Sequence, residues 1–175
     1  RCFASGMSAI QAELLLLRSG DHLIVSRNVY GGTYRLFQGV YRKFGLDFSW
    51  VDTTDLDAVR RAWKKSTRML YVETPANPTL AVTDLRACAR LAHARAARLV
   101  VDNTFLSPVL QVPIALGADI ALHSTTKFLN GHSDSVGGVA ISTRTEDGEQ
   151  LAYLQNAVGA ILSPLDSFFV LRGLK

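Results

Sequence analysis

Lys127 follows a run of hydroxyl side chains at the end of an apolar segment. Residues 120–122 (Ile-Ala-Leu) predict a strand, and residues 124–126 (Ser-Thr-Thr) separate that strand from the lysine. Burial disfavours an ammonium ion, so a lysine held in a pocket has a lowered pKa and becomes a usable amine nucleophile. A lysine beside Ser and Thr is also an ordinary loop, and the remaining residues have to decide between the two interpretations.

Polar groups follow several other predicted strands. In an open α/β sheet the ligand crevice lies at the carboxyl ends of the strands, so these groups are expected to meet at one rim. The groups are Tyr30, Glu73, Asn77, Asp102, Asn103, Ser124 and Thr126.

Ser5-Gly6-Met7 opens a predicted helix and has two interpretations. The amides of a helix N-terminus and a hydroxyl suit a dianionic phosphate, and Gly6 lets the backbone approach it closely. Ser124 and Thr126 would add hydroxyl donors to the same phosphate. The alternative is a serine that only caps the helix.

Asp102 and Tyr30 are equally open to two interpretations. Asp102 either caps the turn that follows its strand or keeps a ring nitrogen protonated, as pyridoxal 5'-phosphate (PLP) requires when it acts as an electron sink. Tyr30, before two glycines, either stacks on such a ring or is a surface turn residue. With Lys127 for an aldehyde, these parts suggest one cofactor site.

Short β-rich runs alternate with helical patterns along the whole chain. This alternation predicts an α/β fold with a mostly parallel sheet and helices on both faces. Asp55 and Asp84 are predicted to cap two of the helices, and no linker or repeat divides the chain. The predicted strands are 22–26, 47–51, 69–73, 99–102, 120–123 and 139–141, and the other predicted helices cover 9–18, 34–44, 146–158 and 165–171.

The composition excludes several classes of protein. With 175 residues, 48% hydrophobic and 19% charged, the chain is globular rather than disordered. Its net charge of +4 is spread out, and the basic cluster at 60–65 falls on the polar side of a predicted helix, so no nucleic-acid partner is expected. Two cysteines and four histidines without ligand spacing predict neither a disulfide framework nor a metal site.

No apolar run approaches the length of a membrane span, and no signal peptide is visible, so a cytoplasmic protein with no membrane partner is expected. The sequence starts at Arg1 without a methionine and stops directly after a helical pattern. We therefore expect a fragment of a longer protein.

Six motifs occur in an order that resembles the Cys/Met metabolism PLP-dependent enzymes, and the cystathionine γ-synthase and γ-lyase group in particular. The resemblance covers essentially all 175 residues. The motifs are Phe-Ala-Ser-Gly-Met (3–7), Val-Tyr-Gly-Gly-Thr (29–33), Glu-Thr-Pro-Ala-Asn-Pro-Thr (73–79), Val-Asp-Asn-Thr-Phe (101–105), Ser-Thr-Thr-Lys (124–127) and Asn-Gly-His-Ser-Asp (130–134).

The resemblance implies a fold and a set of roles. Residues 1–175 would form part of the PLP-binding large domain of an aspartate aminotransferase-like, fold type I transferase, without the N-terminal arm and the C-terminal small domain. By this likeness Lys127 forms the Schiff base and moves protons, Asp102 pairs with the ring nitrogen, and Asn77 binds near the ring hydroxyl. The phosphate would be held by Ser5, Gly6, Met7, Ser124 and Thr126, the ring would be stacked by Tyr30, and the substrate would be faced by Tyr30 and Arg35.

The implied reaction is γ-elimination or γ-replacement on cystathionine or an activated homoserine, in sulfur amino-acid metabolism. Gly32, where methionine γ-lyases commonly carry Cys, and the motif at 130–134, where O-acyl-homoserine sulfhydrylases tend to read Gly-Gly-His-Gly, favour the cystathionine enzymes. The sequence does not distinguish between cystathionine γ-synthase and cystathionine γ-lyase. The alternatives are the sulfhydrylase, the methionine enzyme, an aminotransferase or β-lyase, and a PLP-binding fragment that is catalytically incompetent.

In this family the site is shared between subunits, so the likeness also implies a homo-oligomer, a dimer of dimers. A neighbouring subunit would donate a phosphate-binding Tyr and Arg from a segment upstream of Arg1. The arginine that grips the substrate carboxylate would lie beyond Lys175.

Overall fold

The computed structural model describes residues 1–175, which form one seven-stranded sheet with helices on both faces. The strands are β1 (Cys2–Phe3), β2 (His22–Ser26), β3 (Asp47–Val51), β4 (Thr67–Glu73), β5 (Arg98–Asp102), β6 (Ile120–Ser124) and β7 (Gly138–Ser142). The α-helices are α1 (Gly6–Leu14), α2 (Gly31–Gly39), α3 (Leu56–Arg61), α4 (Leu85–His93), α5 (Ser107–Leu110), α6 (Thr145–Val158) and α7 (Pro164–Gly173). Tyr41–Phe44 and Pro113–Leu116 form 3-10 turns.

The strand order is β1-β7-β6-β5-β4-β2-β3. The pairs β2–β3, β2–β4, β4–β5 and β5–β6 are parallel, whereas β7 runs antiparallel to both β6 and β1. The predicted mostly parallel sheet is confirmed. Because β2, β4, β5 and β6 point the same way, their carboxyl ends share one edge.

Two apolar cores lie on opposite faces of the sheet. Alternate strand residues such as Leu23, Val25 and Tyr71 pack with α1, α2 and α6, while Ile24 and Leu70 pack with α3 and α4. Alternation with period two along each strand produces this division, as the pleat requires. None of the helices combines the length and the apolar character that crossing a bilayer requires.

Helix caps explain where the helices begin. Ser5, Asp55 and Asp84 each accept a hydrogen bond from an amide in the first turn of the helix that follows. The two aspartate caps were predicted. The first helix begins at Gly6, where the Ser5-Gly6-Met7 motif predicts its opening, and the Ser5 hydroxyl accepts from the Ser8 N–H at 3.1 Å. It ends at Leu14 rather than at Arg18.

The continuous helical pattern predicted over 34–44 is wrong in one respect. The α-helix ends at Gly39, and Tyr41–Phe44 forms a separate 3-10 turn that closes at Gly45, where φ is +86°. Glycine disfavours a helix interior and is the residue best suited to a positive φ, so the two glycines divide the pattern.

Candidate functional site

The strand ends that the sequence analysis singled out lie side by side. Glu73, the last residue of β4, is in register with Asp102, the last residue of β5. Asp102 in turn is in register with Leu122, two residues before Ser124 at the end of β6. The predicted common rim is therefore confirmed for the groups on these three strands.

The N-terminus of α1 approaches the end of β6 without any intervening side chain. A Cβ atom added to Gly6 would lie 2.8 Å from the Cβ of Ser124, closer than such atoms come in proteins. A Cβ on Gly138 would likewise overlap the backbone of Ser5. Ser5, Gly6 and Ser124 are thus brought together as predicted. The Ser5 hydroxyl also caps the helix, so that interpretation holds as well.

Asp102 is buried and held from two sides. Its Oδ1 accepts from Thr104, from the hydroxyl at 2.6 Å and from the N–H at 3.0 Å, while Tyr71 donates to its Oδ2 at 3.4 Å. Burial raises the pKa of the Asp102 carboxyl, and the bonds from Thr104 act in the opposite direction. Asp102 therefore does cap the turn that follows its strand, but only its Oδ1 takes part in this cap.

Thr104 is a residue that the sequence analysis missed. Besides binding Asp102, its hydroxyl accepts from the N–H of Ser124 at 2.8 Å and so joins the ends of β5 and β6. The available signal was the Asp-x-Thr spacing, because an aspartate commonly bonds the amide two residues later in a turn.

Tyr30 lies at the start of α2 with its side chain 56% exposed. The ring packs beside Gly32, where a Cβ would overlap it and would lie 2.9 Å from the sulfur of Met7. Tyr30 and Met7 therefore approach the same glycine, which connects the loop after β2 with the N-terminus of α1.

Lys127 is exposed, so this chain does not hold it in a pocket, which was one of the two interpretations of the sequence. It sits in a turn after β6, in which its N–H donates to Ser124 at 3.3 Å and its carbonyl accepts from Gly131 at 2.9 Å. The turn lies at the open rim of the sheet, so this chain does not enclose the side chain.

The hydroxyl of Thr126 is bonded to the backbone of Gly137, from which it accepts at 3.1 Å and to which it donates at 3.3 Å. It ties the lysine turn to the segment before β7. Thr126 is thus placed next to the lysine, but its hydroxyl already has backbone partners.

Asn77 and Arg35 are both exposed and are the least constrained of the predicted residues. Asn77 belongs to the loop after β4, and Arg35 lies in α2 with its Nη1 3.5 Å from the position of a Cβ on Gly31. Arg35 lies on the same segment as Tyr30. The side chains of Asn77 and Arg35 form no hydrogen bond with Asp102 or Lys127.

Glu73 was placed on the rim by the sequence analysis but was given no role. Only 8% of the residue is exposed, and its Oε2 accepts from the N–H of Tyr30 at 2.7 Å. Burial, and secondarily the charge of Asp102, raise the pKa of Glu73 to about 7. No local sequence signal shows this contact, since 43 residues separate the partners.

The residues fit a phosphorylated pyridine aldehyde. The absent Cβ of Gly6 opens the α1 N-terminus toward Ser124, which suits a phosphate. Asp102 offers a buried carboxyl to a ring nitrogen, Tyr30 offers an aromatic face, and Lys127 offers an amine. No group of three or more His, Cys, Asp or Glu side chains is arranged to hold a metal ion.

A mostly parallel α/β sheet with a lysine, a buried aspartate and an open helix N-terminus at its strand ends fits the class of PLP-dependent enzymes. The family model of the Cys/Met metabolism PLP-dependent enzymes matches residues 1–175. The chain belongs to this family, and pyridoxal 5'-phosphate is its cofactor.

Relatives with three different names match the chain. It is 54% identical over 175 residues to a cystathionine beta-lyase of Coxiella burnetii and 46% identical over 173 residues to a cystathionine gamma-lyase of Bacillus subtilis. It is also 46% identical over 176 residues to a cystathionine gamma-synthase of Mycobacterium leprae. These matches cover 99–100% of the chain but only 45–46% of each relative.

Two solved structures have nearly the same backbone. The cystathionine gamma-lyase of Lactobacillus plantarum, crystallised with L-serine, has a TM-score of 0.97 at 47% identity, and metB of Corynebacterium glutamicum has 0.98 at 44%. Each match covers 99% of this chain and 45–46% of the solved one. The chain thus spans about half the length of the proteins it matches.

Proposed function

We propose that the protein carrying this chain is a trans-sulfuration enzyme that performs γ-elimination or γ-replacement on cystathionine or an activated homoserine. The observation that carries the proposal is the close approach of Gly6 to Ser124, three residues before Lys127. This close approach supports an anion site near the primary amine of Lys127 and the buried Asp102, in a family that uses PLP.

The chain's residues have separable binding roles in this proposal. The amides of Gly6 and Met7 and the hydroxyl of Ser124 hold the phosphate, with Ser5 and Thr126 shaping the loops on either side. Asp102 pairs with the ring nitrogen, Tyr30 covers the ring face and Asn77 lies toward the ring hydroxyl. The cofactor, when bound, supplies an electron sink for the carbanion formed at the substrate Cα.

Lys127 is the proton carrier of the proposed reaction. Its Nζ would hold the cofactor and, with substrate present, would remove the Cα proton and pass protons between neighbouring carbons. Tyr30 and Arg35, on the same segment, face the substrate.

A second candidate, β-elimination on cystathionine, is favoured by one observation. The relative that is 54% identical to this chain is named a cystathionine beta-lyase. The same Lys127 would serve this reaction, because it also begins with loss of the Cα proton.

The proposed substrates are sulfur amino acids or activated homoserines, and the proposed macromolecular partners are further copies of the same protein, assembled as a dimer of dimers. Only two cysteines in 175 residues agree with the cytoplasm as the proposed location. Light scattering of the purified protein measures the assembly directly.

Absorption spectroscopy tests the cofactor site. We expect the natural polypeptide that contains these residues to show a visible band after incubation with PLP, and we expect Lys127→Ala to abolish it. Lys43→Ala, at an exposed lysine on the 3-10 turn, is the matched control and keeps the band. A well-folded Lys127→Ala protein that retained the wild-type band would contradict the role of this lysine.

Product analysis separates the two reactions. From L-cystathionine, γ-elimination yields cysteine, 2-oxobutyrate and ammonia, whereas β-elimination yields homocysteine, pyruvate and ammonia. Formation of cystathionine from cysteine and an O-acylhomoserine would identify γ-replacement. Pyruvate as the only keto acid would replace the leading proposal with the second candidate.

A further inference from the structure

Glu73 is a buried carboxyl group to which the proposed reaction gives no task. It ends β4 beside Asp102, and burying a second carboxyl group next to the first one costs free energy. A buried charge is normally retained for a partner, and here the partner is the backbone N–H of Tyr30 at 2.7 Å.

Tyr30 has few other constraints. It begins α2 without a side-chain capping bond, and the helix continues with Gly31 and Gly32, whose backbones lose the most conformational freedom on ordering. The residue is more than half exposed, and its ring lies against Gly32. The bond to Glu73 therefore connects the start of α2 to the rigid end of β4.

The surroundings of Glu73 favour this assignment over a purely structural one. The groups that face its carboxyl are the backbone amides of Tyr30 and Asn77 and the carboxyl of Asp102 on β5. No arginine or lysine pairs with it. Glu73 also lines a small cleft with the linked hydroxyls of Ser26, Thr53 and Thr83.

We propose that Glu73 is a positioning residue that holds the backbone of Tyr30 and thereby fixes the face that the tyrosine ring presents to the cofactor. The inference rests on the proposed PLP site, because Glu73 would act on this site only through Tyr30. A charge-assisted hydrogen bond to a backbone amide is strong enough for such an anchor.

A double-mutant cycle on PLP affinity tests the coupling in the natural polypeptide that contains these residues. We expect Glu73→Ala to raise the PLP dissociation constant about tenfold, as loss of a bond to a charged group predicts. In a Tyr30→Ala background the same change should alter it less than twofold, since the anchor then has no ring to orient. Ser26→Ala, which removes a hydroxyl from the same cleft, is the control and leaves the constant unchanged.

Hydrogen exchange in the cofactor-free protein supplies a second readout that does not depend on PLP binding. Glu73→Gln preserves size, and we expect it and Glu73→Ala to speed exchange in the peptide that spans residues 27–36, with Glu73→Ala having the larger effect. Exchange in α4 should stay unchanged in both variants, which shows that they fold.

The outcomes separate this inference from the proposed function. If Glu73→Ala raises the dissociation constant equally with and without Tyr30, or if exchange in 27–36 is unaffected, the inference is overturned while the PLP site stands. If the wild-type protein does not bind PLP, the proposed function fails, and the inference that rests on it fails too.

Discussion

The buried carboxyl groups of Glu13, Glu73 and Asp102 all have a pKa raised by burial, and they differ in what offsets this cost. Asp102 accepts two bonds from Thr104, and Glu73 accepts one from Tyr30. Neither oxygen of Glu13 has a hydrogen-bond partner. Asp102 and Glu73 therefore act as hydrogen-bond acceptors at the rim. Glu13 lies in α1, away from the rim, and is stable mainly as the neutral acid.

Glu13 should make stability depend on pH. Its pKa rises from 4.5 to about 8, first through burial and then through Asp147, so the folded chain binds more protons than the unfolded one between these values. The free energy of unfolding should therefore fall as the pH rises across this window, by up to about 1.4 kcal/mol per pH unit.

Glu13→Gln should remove this component, so the variant should gain stability relative to wild type between pH 5 and pH 8. Denaturant unfolding at both values measures the difference. Glu149→Gln, at an exposed carboxyl of α6, should follow the wild-type profile. Parallel profiles for Glu13→Gln and wild type would show that Glu13 does not titrate in this range.

At the scale of elements, the site depends on how closely α1 meets β6. Gly6 begins the helix, and the space where its Cβ would be is bounded by the Cβ, Oγ and Cα of Ser124 at 2.8–3.2 Å. Any side chain there must move the helix away from the strand. Glycine is thus required at position 6 because the helix and Ser124 approach closely there, and not because the backbone makes a turn with positive φ.

Gly6→Ala should therefore weaken PLP binding by about tenfold or more, since overpacking of this kind costs about 1–3 kcal/mol. Gly148→Ala in α6 is the matched control because nothing lies within 4 Å of its added Cβ. The control should stabilise the fold by about 0.5–1 kcal/mol and leave PLP affinity unchanged. PLP titration and denaturant unfolding of both variants measure these effects, and equal PLP affinity in the two would refute the argument.

Sequence reasoning succeeded for most elements that have a local signal. The bounds of β2 and β3 and the caps at Asp55 and Asp84 were predicted correctly. β1 was missed because two residues are too few to show an alternation, and it forms only by pairing with β7, more than 130 residues away. A local sequence pattern cannot show a pairing between residues so far apart in the chain.

At the scale of the whole molecule, the chain is one seven-stranded sheet with helices on both faces. The exposed Lys127 and Tyr30 lie on an open rim, and the chain covers 45–46% of the length of the Coxiella and Bacillus relatives. The family likeness assigns a phosphate-binding Tyr and Arg, and the substrate-binding Arg, to segments other than residues 1–175.

The isolated 175 residues should accordingly show little or no turnover of L-cystathionine. Missing contacts to the substrate carboxylate and the phosphate remove binding energy that the transition state requires. A keto-acid assay on the purified piece, beside the natural polypeptide, measures the difference. Turnover by the isolated 175 residues at the rate of the natural polypeptide would contradict this prediction.

The sequence by itself determined the family, most of the strands and helices, and the identity of the residues at the strand ends, because periodicity, caps and motifs are all local. Only the tertiary structure decided that Lys127 is exposed, that Thr104 joins Asp102 to Ser124, and that Glu73 holds Tyr30. These facts arise from contacts between strand ends distant in sequence, whose burial and partners are set by the packing of the sheet.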